Sequence, residues 1–397
     1  MALPLNGVRV LDVTNVLAGP FGSFQLALLG AEVVKVEQPG GGDLGRRLGA
    51  DPAACAALMG ASFVAVNAGK QSVTINLKSP EGKKIFRQLA ALSHVVVENF
   101  RPGVMSRLGL DYRALSEVNP SIVYCAISGF GQDGSWAMRP AYDQIIQGIS
   151  GVMSVTGDDR SAPLRVGYPV CDTIGGLTAA MAVCAALVDA RTTGRGRMID
   201  ISMLESTLAS MGWVVSNYLN AGLVPLPMGN DNFTAAPSGT FRTKNGLLNI
   251  AANENSQYES LCDLLGRPDL KADSRFAGRD TRKRNRQALN GEIEPELLKR
   301  SAADWERDLV EAGVPAGRIL GVPEVLEHPH LAERRFVTTL QGAGGRQRMT
   351  RGGFHFADAE AVPGTAAPAL SQHTEAWLRK LGYSAEQTEE LRTKGVI

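Results

Sequence analysis

One carboxylate in the sequence stands where it could attack an acyl group. Asp172 follows the run 167–171 and precedes a stretch of mostly apolar residues that reaches Ala190. An aspartate at such a junction commonly caps a helix by accepting backbone N–H bonds. It is also a known covalent nucleophile, and Gly175 and Gly176, which cost helix stability relative to alanine, would let a ligand approach beside it. From the residues alone, both interpretations stay open.

Other residues with reactive side chains argue against several alternatives. Cys171 is a rival nucleophile, but no histidine lies near it in the sequence to activate it. The five cysteines form no CxxC pair and the five histidines show no metal spacing. We therefore predict neither a metal site nor a permanently bound cofactor.

A GxGxxG motif at Gly129, Gly131 and Gly134 follows an apolar strand pattern. A dinucleotide site requires a helix that opens inside the motif, whereas here Pro140 intervenes and the helical pattern starts near Ala141. We prefer a glycine-rich loop that contacts another ligand, and a dehydrogenase is the weaker alternative.

Cations near predicted strand ends suggest an anionic ligand. Arg101 and Arg107 follow one apolar strand, and Lys70 and Lys78 flank another; Arg in particular pairs with phosphates through two hydrogen bonds. Each of them is also compatible with an ordinary surface charge. With 41 Lys and Arg against 40 Asp and Glu, the chain lacks the basic field of a nucleic-acid-binding protein.

The N-terminus has no charged segment ahead of an apolar one, so we predict no signal peptide and a cytoplasmic location. The longest apolar stretch, 175–190, is too short to span a bilayer, and we predict no membrane partner.

The order of predicted elements indicates an α/β fold. Apolar strands at 8–13 and 31–37 enclose a helix at 23–29, and further strands at 72–77, 94–98 and 122–128 alternate with helical segments. This alternation is typical of a parallel sheet covered on both faces.

Two longer helices are predicted after this region. Residues 142–153 place Tyr142, Ile145, Ile146, Ile149 and Met153 on one helical face. Residues 172–190 are apolar nearly all round, which predicts a fully buried helix.

From about residue 223 the composition changes. Residues 241–252 predict a hairpin that turns at Lys244–Gly246. Helical patterns follow at 258–265 and 282–298, so we predict a smaller α+β domain. The tail, 372–397, predicts a pair of amphipathic helices.

Several segments together closely resemble the class III CoA-transferases, the CaiB/BaiF family. They are LDVTNVLAGPFGSFQLALLGAEVVKVEQPGGGD, VENFRPGVMSRLGLDY, SGFGQDG, AYDQIIQGISGVMSVTG, the segment around Asp172, TTGRGRMIDISMLES and QHTEAWLRKLGYS. The resemblance implies a Rossmann-like large domain built from both chain ends, 1–204 and 345–397, and a smaller middle domain, 225–330. It also implies linkers at 205–224 and 331–344, an interlocked homodimer, and Asp172 as the nucleophile.

The same resemblance implies a set of residues that contact coenzyme A. They are Val16, Leu17, Ala18, Gln38, Ile75, Asn76, Leu77, Lys78, Asn99, Phe100, Arg101, Arg107, Arg139 and Tyr142. Leu17 replaces a glutamine and Gln38 an arginine of the formyl-CoA transferase type, which weighs against oxalate as the acceptor.

The resemblance is strongest to members that act on short dicarboxylates. We therefore predict transfer of CoA from succinyl-CoA to a small diacid, or to a sulfinate analogue, through an aspartyl anhydride and an enzyme–CoA thioester. Arg46, Arg47 and Arg165 are the cations predicted to bind the distal anion of the acceptor.

Two alternatives remain at this point. An acyl-CoA racemase of the same fold would use Asp172 with Glu254, because Tyr142 stands where the racemases have a histidine. With an ordinary pKa of about 10, tyrosine is a poor proton shuttle at neutral pH. The second alternative is a non-catalytic acyl-CoA-binding subunit.

Overall fold

The computed structural model describes residues 1–342 and 345–397 and divides them into two compact units. The first contains 1–152, 165–224 and 332–397; the second contains 153–164 and 225–331. Both chain ends thus lie in the first unit. The second unit also takes in 153–164, a segment that the sequence analysis left out of it.

The first unit is built on a six-stranded sheet in which every neighbouring pair is parallel. The strands are β1 (Arg9–Asp12), β2 (Glu32–Glu37), β3 (Lys70–Thr74), β4 (Val95–Glu98), β5 (Val123–Ser128) and β6 (Met198–Ser202). Their order is β3-β2-β1-β4-β5-β6, the order of a doubly wound sheet. Its topological switch point lies between β1 and β4, where such sheets bind ligands. The predicted α/β class is confirmed.

Eleven helices occur before residue 225. They are α1 (Ala18–Leu28), α2 (Pro52–Ala56), α3 (Ala61–Asn67), α4 (Pro80–Ala91), α5 (Val104–Leu108), α6 (Tyr112–Ser116), α7 (Asp143–Ile149), α8 (Val152–Val155), α9 (Val170–Thr193), α10 (Met203–Ser210) and α11 (Trp213–Ala221). A 3-10 helix, Leu44–Arg47, precedes α2. The predicted linker 205–224 therefore contains helical structure of the first unit.

Side chains on the two faces of the sheet enter different cores. Val10 of β1 belongs to the core that includes α9, whereas Leu11 belongs to the core that includes α4. This alternation follows from the two-residue period of a strand. Trp377 and Leu391, from the predicted C-terminal helix pair α19 (Thr374–Lys380) and α20 (Ala385–Thr393), complete the second core.

The second unit contains a three-stranded antiparallel sheet, β7 (Ser238–Thr243), β8 (Gly246–Ala251) and β9 (Ala316–Arg318). The first two strands form the predicted hairpin. The remaining helices are α12 (Asn255–Leu264), α13 (Asp269–Ala272), α14 (Arg279–Arg284), α15 (Arg286–Leu297), α16 (Ala302–Glu311), α17 (Val322–Leu326) and α18 (Pro329–Glu333). In the first unit, β10 (Val337–Gly342) pairs antiparallel with β11 (Gly345–Thr350), and β10 lies within the other predicted linker, 331–344.

The predicted helix over 142–153 is interrupted. Helix α7 ends at Ile149, and Gly151 has a φ of 84°, so the chain turns before α8 starts. Ile146 is fully buried, whereas Ile145 and Ile149 are exposed. The left-handed glycine ends the helix, so the prediction of one continuous helix is wrong. The prediction of one buried apolar face is also wrong, since Ile145 and Ile149 are exposed within α7 itself.

Helix α9 is not buried all round, in contrast to the prediction. Its inner side packs against α1 and β5 in the first core. Its outer side exposes Leu177, Met181 and Val188, by 48%, 68% and 68% respectively. By length and composition α9 would also qualify as a membrane span, but its packing is that of a core helix with one uncovered apolar face.

Candidate active site

The turns that follow successive strands gather most of the residues predicted to contact coenzyme A. Val16–Ala18 follow β1, Gln38 follows β2, and Ile75–Lys78 follow β3. Asn99–Arg101 follow β4, and 139–142 precede α7 in the long turn after β5. Because the carboxyl ends of parallel strands lie at one edge of a sheet, residues distant in sequence share this edge.

The cationic side chains at this edge of the sheet differ in whether they already contact another side chain. Lys78, Arg101 and Arg107 are exposed and, within 1–342 and 345–397, take part in no ion pair. The guanidinium of Arg139 lies over the Trp136 ring, 4.5 Å from its centroid. Lys78, Arg101 and Arg107 are therefore free to meet phosphate groups.

Two residues of the sequence analysis are less available than predicted. The Lys70 side chain is fully buried, and its Nζ lies 3.0 Å from Asp12 Oδ2, so it does not reach a phosphate. The Ile75 side chain lies in the second core and is 1% exposed, so only its backbone can meet a ligand. Lys70 also donates to the Pro20 carbonyl oxygen and to Ser23 Oγ, so helix α1 encloses it together with β1.

Asp172 is the third residue of α9, whose N-cap is Pro169. The interpretation of Asp172 as the helix cap is therefore wrong. Its partly buried carboxylate accepts no hydrogen bond from the part of the chain that the structure describes. An unengaged carboxylate in the first turn of a helix is available for chemistry.

The two glycines after Asp172 serve helix packing rather than ligand access. A Cβ on Gly176 would lie 2.6 Å from the Ala18 carbonyl oxygen of α1, and one on Gly22 would lie 2.9 Å from the Gly176 carbonyl oxygen. A Cβ on Gly175 would meet Met203 at 3.1 Å. Gly176 and Gly22 therefore let α9 approach α1 closely, whereas Gly175 makes room for Met203 at the start of α10. The close approach of α9 to α1 holds Asp172 near the turn after β1.

Asp143, which was not among the predicted site residues, holds the segment that leads to Asp172. Its Oδ1 accepts the Cys171 N–H at 2.9 Å, and its Oδ2 accepts from the Gln147 side-chain amide at 2.7 Å. Gln147 in turn accepts the Val166 N–H at 2.9 Å. The available signal was an acid and an amide four residues apart on one predicted helix.

Burial, with a smaller contribution from the nearby charge of Asp143, raises the pKa of Asp172 to about 7. Burial also raises the pKa of the Cys171 thiol, whose side chain is enclosed. Near neutral pH, therefore, Asp172 provides a basic carboxylate, and Cys171 remains a neutral thiol.

This pKa predicts a stability effect. Above pH 7 the folded protein holds a desolvated charge, so Asp172→Asn should raise the free energy of unfolding at pH 8 on the order of 2–4 kcal/mol. The gain should shrink as pH falls below 7 and vanish below about pH 4, where the carboxyl is neutral in both states. Urea unfolding at several pH values measures this. Asp133→Asn, at an exposed turn, is the control, and an equal gain there would contradict the prediction.

The residues predicted to bind an acceptor acid lie in different environments. Arg46 is fully buried and forms two hydrogen bonds, each of 2.6 Å, with Glu37. The prediction that it binds a substrate is therefore wrong, because its guanidinium has no exposure to solvent and also donates to the carbonyl oxygens of Leu58 and Pro368. Arg47 is exposed, and Arg165 is partly exposed with Nη2 3.6 Å from Asp143 Oδ2. Glu254, in the second unit, caps α12.

Comparisons with known proteins agree on one family. The family model described as CoA-transferase family III matches residues 5–374. The chain is 33% identical to the human succinyl-CoA:glutarate CoA-transferase over 99% of this chain and 90% of that one. It is also 38% identical to the Acetobacter aceti acetyl-CoA:oxalate CoA-transferase, over 85% of this chain and 86% of that one. A CaiB/BaiF family protein from Brucella suis superposes with a TM-score of 0.84 at 33% identity, covering 96% of this chain and 100% of that one.

Proposed function

This chain belongs to CoA-transferase family III and is an acyl-CoA:carboxylate CoA-transferase, and from that premise we propose that it moves CoA from succinyl-CoA to a second small diacid through a covalent intermediate on Asp172. The observation that carries the proposal is the Asp172 carboxylate, which is unengaged within the described chain and has a pKa near 7. A carboxylate of raised pKa is a stronger nucleophile than an ordinary surface aspartate.

The proposed reaction has four acyl transfers. An Asp172 oxygen attacks the thioester carbon of succinyl-CoA, and the carbon–sulfur bond breaks to give a mixed anhydride and CoA thiolate. The thiolate attacks the aspartyl carbon and expels succinate. The acceptor carboxylate then attacks this enzyme thioester and releases the thiolate, which finally attacks the acceptor's acyl carbon and frees Asp172. Thioesters and anhydrides are both activated acyl groups, so the cycle needs no ATP.

Coenzyme A is proposed to lie along the carboxyl edge of the sheet. Arg101 and Arg107 would pair with its phosphates, because they are exposed and guanidinium groups match phosphate oxygens. The turn at Val16–Ala18 would contact the thiol arm, since α1 and α9 bring this turn close to Asp172. Such an enzyme fits a cytoplasmic location.

A homodimer is part of the proposal. The outer face of α9 and the exposed side chains Trp213, Tyr218 and Leu219 of α11 leave much apolar surface uncovered on the first unit. Large exposed apolar patches mark association surfaces. A second copy of the chain is the proposed cover, in the interlocked arrangement that the family resemblance implies.

Among the acceptor-binding candidates, Arg165 is preferred. Its contact with Asp143 places it next to the group that affects the pKa of Asp172. A diacid acceptor would present one carboxylate to Asp172 and its distal one to Arg165. Arg47 forms no ion pair with any residue of 1–342 or 345–397 and serves as the matched comparison.

The acceptor can be identified by incubating the protein and succinyl-CoA with a panel of small acids and reading the products by mass spectrometry. We expect Arg165→Ala to raise the KM of the preferred diacid roughly ten- to a hundredfold, since a hydrogen bond to a charged group contributes about 1.5–3 kcal/mol. Its effect on a monoacid of equal length should be small, as should that of Arg47→Ala on either acid. Equal losses on both acids would contradict the assignment of Arg165. If no acid accepts CoA, the proposed function itself fails.

A further inference from the structure

The turn after β1 is held by buried charged side chains that take no part in the proposed reaction, and we propose that Asp43 positions this turn for coenzyme A. The inference rests on the proposed function, because it takes Val16–Ala18 as a CoA contact. Asp43 itself lies after β2, at the N-cap of the 3-10 helix Leu44–Arg47. It is therefore a positioning residue that acts through the turn.

Side chains from several elements bind the backbone of the turn. Lys35 Nζ donates to the Thr14 carbonyl oxygen at 2.8 Å, and Asp43 Oδ1 accepts the Val16 N–H at 2.8 Å. Asn99 both accepts the Asn15 N–H and donates to the Asn15 carbonyl oxygen, each at 2.8 Å. Three consecutive residues are thus fixed from β2, from the turn after β2 and from the turn after β4.

The conformation of the turn explains why so many contacts are present. Val16 has a φ of 68°, in the left-handed region that a β-branched residue avoids. Such a conformation persists only where the surroundings over-determine it. The hydrogen bond from the Val16 N–H to Asp43 acts on the strained residue itself, so Asp43 is the contact whose loss should release the turn.

A buried charge network holds Asp43 in place. Its Oδ2 lies 2.9 Å from Lys35 Nζ, and neither side chain has any exposure to solvent. Its own N–H donates to Glu37, the carboxylate that also pairs with Arg46. The buried Arg46 therefore does not bind substrate but holds Glu37, which in turn holds Asp43 beside the turn.

The turn also connects to the nucleophile. Helix α1 begins at Ala18, the last residue of the turn, and the Ala18 carbonyl oxygen faces Gly176 on α9. A released turn would move the start of α1 relative to the helix that carries Asp172. Loss of Asp43 should therefore affect succinyl-CoA binding first and the rate of transfer second.

The test compares three variants with the wild type. Asp43→Ala removes the acceptor, and Asp43→Asn keeps an oxygen for the Val16 N–H. The double variant Lys35→Met with Asp43→Leu removes both charges together, which avoids an uncompensated buried charge and keeps the fold if the single variant unfolds. Glu32→Gln is the matched control. It breaks the ion pair between Arg9 of β1 and Glu32 of β2, which lies at the amino ends of these strands, away from the turn.

Two measurements are made on each variant. Hydrogen–deuterium exchange reports the amides of residues 13–18 without any ligand, and calorimetric titration with free CoA reports affinity. In Asp43→Ala and in the double variant we expect faster exchange in this segment and a CoA Kd raised about tenfold or more. Asp43→Asn should recover part of the affinity. Glu32→Gln should change neither readout.

The outcomes distinguish the role of Asp43 in holding the turn from the role of the turn in binding CoA. Unchanged exchange over 13–18 would overturn the positioning role, whatever the affinity. The link between this turn and CoA binding would be overturned by faster exchange with an unchanged CoA Kd. It would also be overturned if the CoA Kd changed only in proportion to the free energy of unfolding across the variants. If the wild type itself binds no CoA, the proposed function fails, while the exchange data still decide whether Asp43 positions the turn.

Discussion

Replacement of Asp172 by alanine is expected to lower the rate of CoA transfer at least about 10⁴-fold, because the side chain forms the covalent bond of every step. The fold should persist, since the variant removes a desolvated carboxylate that makes no hydrogen bond within the described chain. CoA affinity should stay close to that of the wild type. Asp172→Glu should also be severely impaired, because one added methylene displaces the attacking oxygen, and such a shift can cost about 10²-fold.

Cys171→Ala is the matched control for this prediction. It alters the neighbouring, fully buried side chain while leaving the backbone N–H that Asp143 accepts, so transfer should remain within a few-fold of the wild type. Hydroxylamine or borohydride added after succinyl-CoA should leave a modification that mass spectrometry locates on Asp172. Near-normal turnover by Asp172→Ala, or a modification found on Cys171 instead, would refute the assignment of the nucleophile.

Charges placed on the outer face of α9 are expected to abolish the dimer. Leu177→Asp combined with Met181→Asp places two like charges in the proposed apolar interface, and the symmetry of a homodimer repeats each of them. A buried, unpaired charge costs several kcal/mol, so the dimer Kd should rise about a thousandfold or more. Sedimentation velocity at micromolar concentration should then show a monomer, with transfer activity lost if the active site needs both copies.

The control for assembly is Leu92→Asp. Leu92 is 43% exposed at the end of α4, which packs on the opposite face of the sheet, so this variant should remain dimeric. Undiluted wild type that sediments as a compact monomer would speak against the proposed association surface. A dimer that survives both changes on α9 would show that the interface lies elsewhere.

Much of the first unit was predictable from residue patterns. The alternation of apolar strands with helical segments predicted a parallel sheet, and β1 to β5 overlap the five predicted apolar strands, whereas β6 (Met198–Ser202) was not among them. Charged residues inside an apolar strand, such as Lys35 and Glu37 in β2, were an overlooked signal. A charge in a buried strand needs a partner, and here the partners lie at the ligand-binding edge.

The sequence by itself therefore determined the hydrophobic period of each element and the edge of the sheet at which the turns meet. Its motifs also indicated the family and, with it, Asp172 as the candidate nucleophile. Only the tertiary structure decided which groups face each other. It paired Lys70 with Asp12 and Arg46 with Glu37, set Gly176 against α1 rather than against a ligand, and left one face of α9 uncovered. The physical reason is that periodicity reports which side of an element avoids water, whereas the partner of a charge or a glycine is chosen by chain segments far away in the sequence.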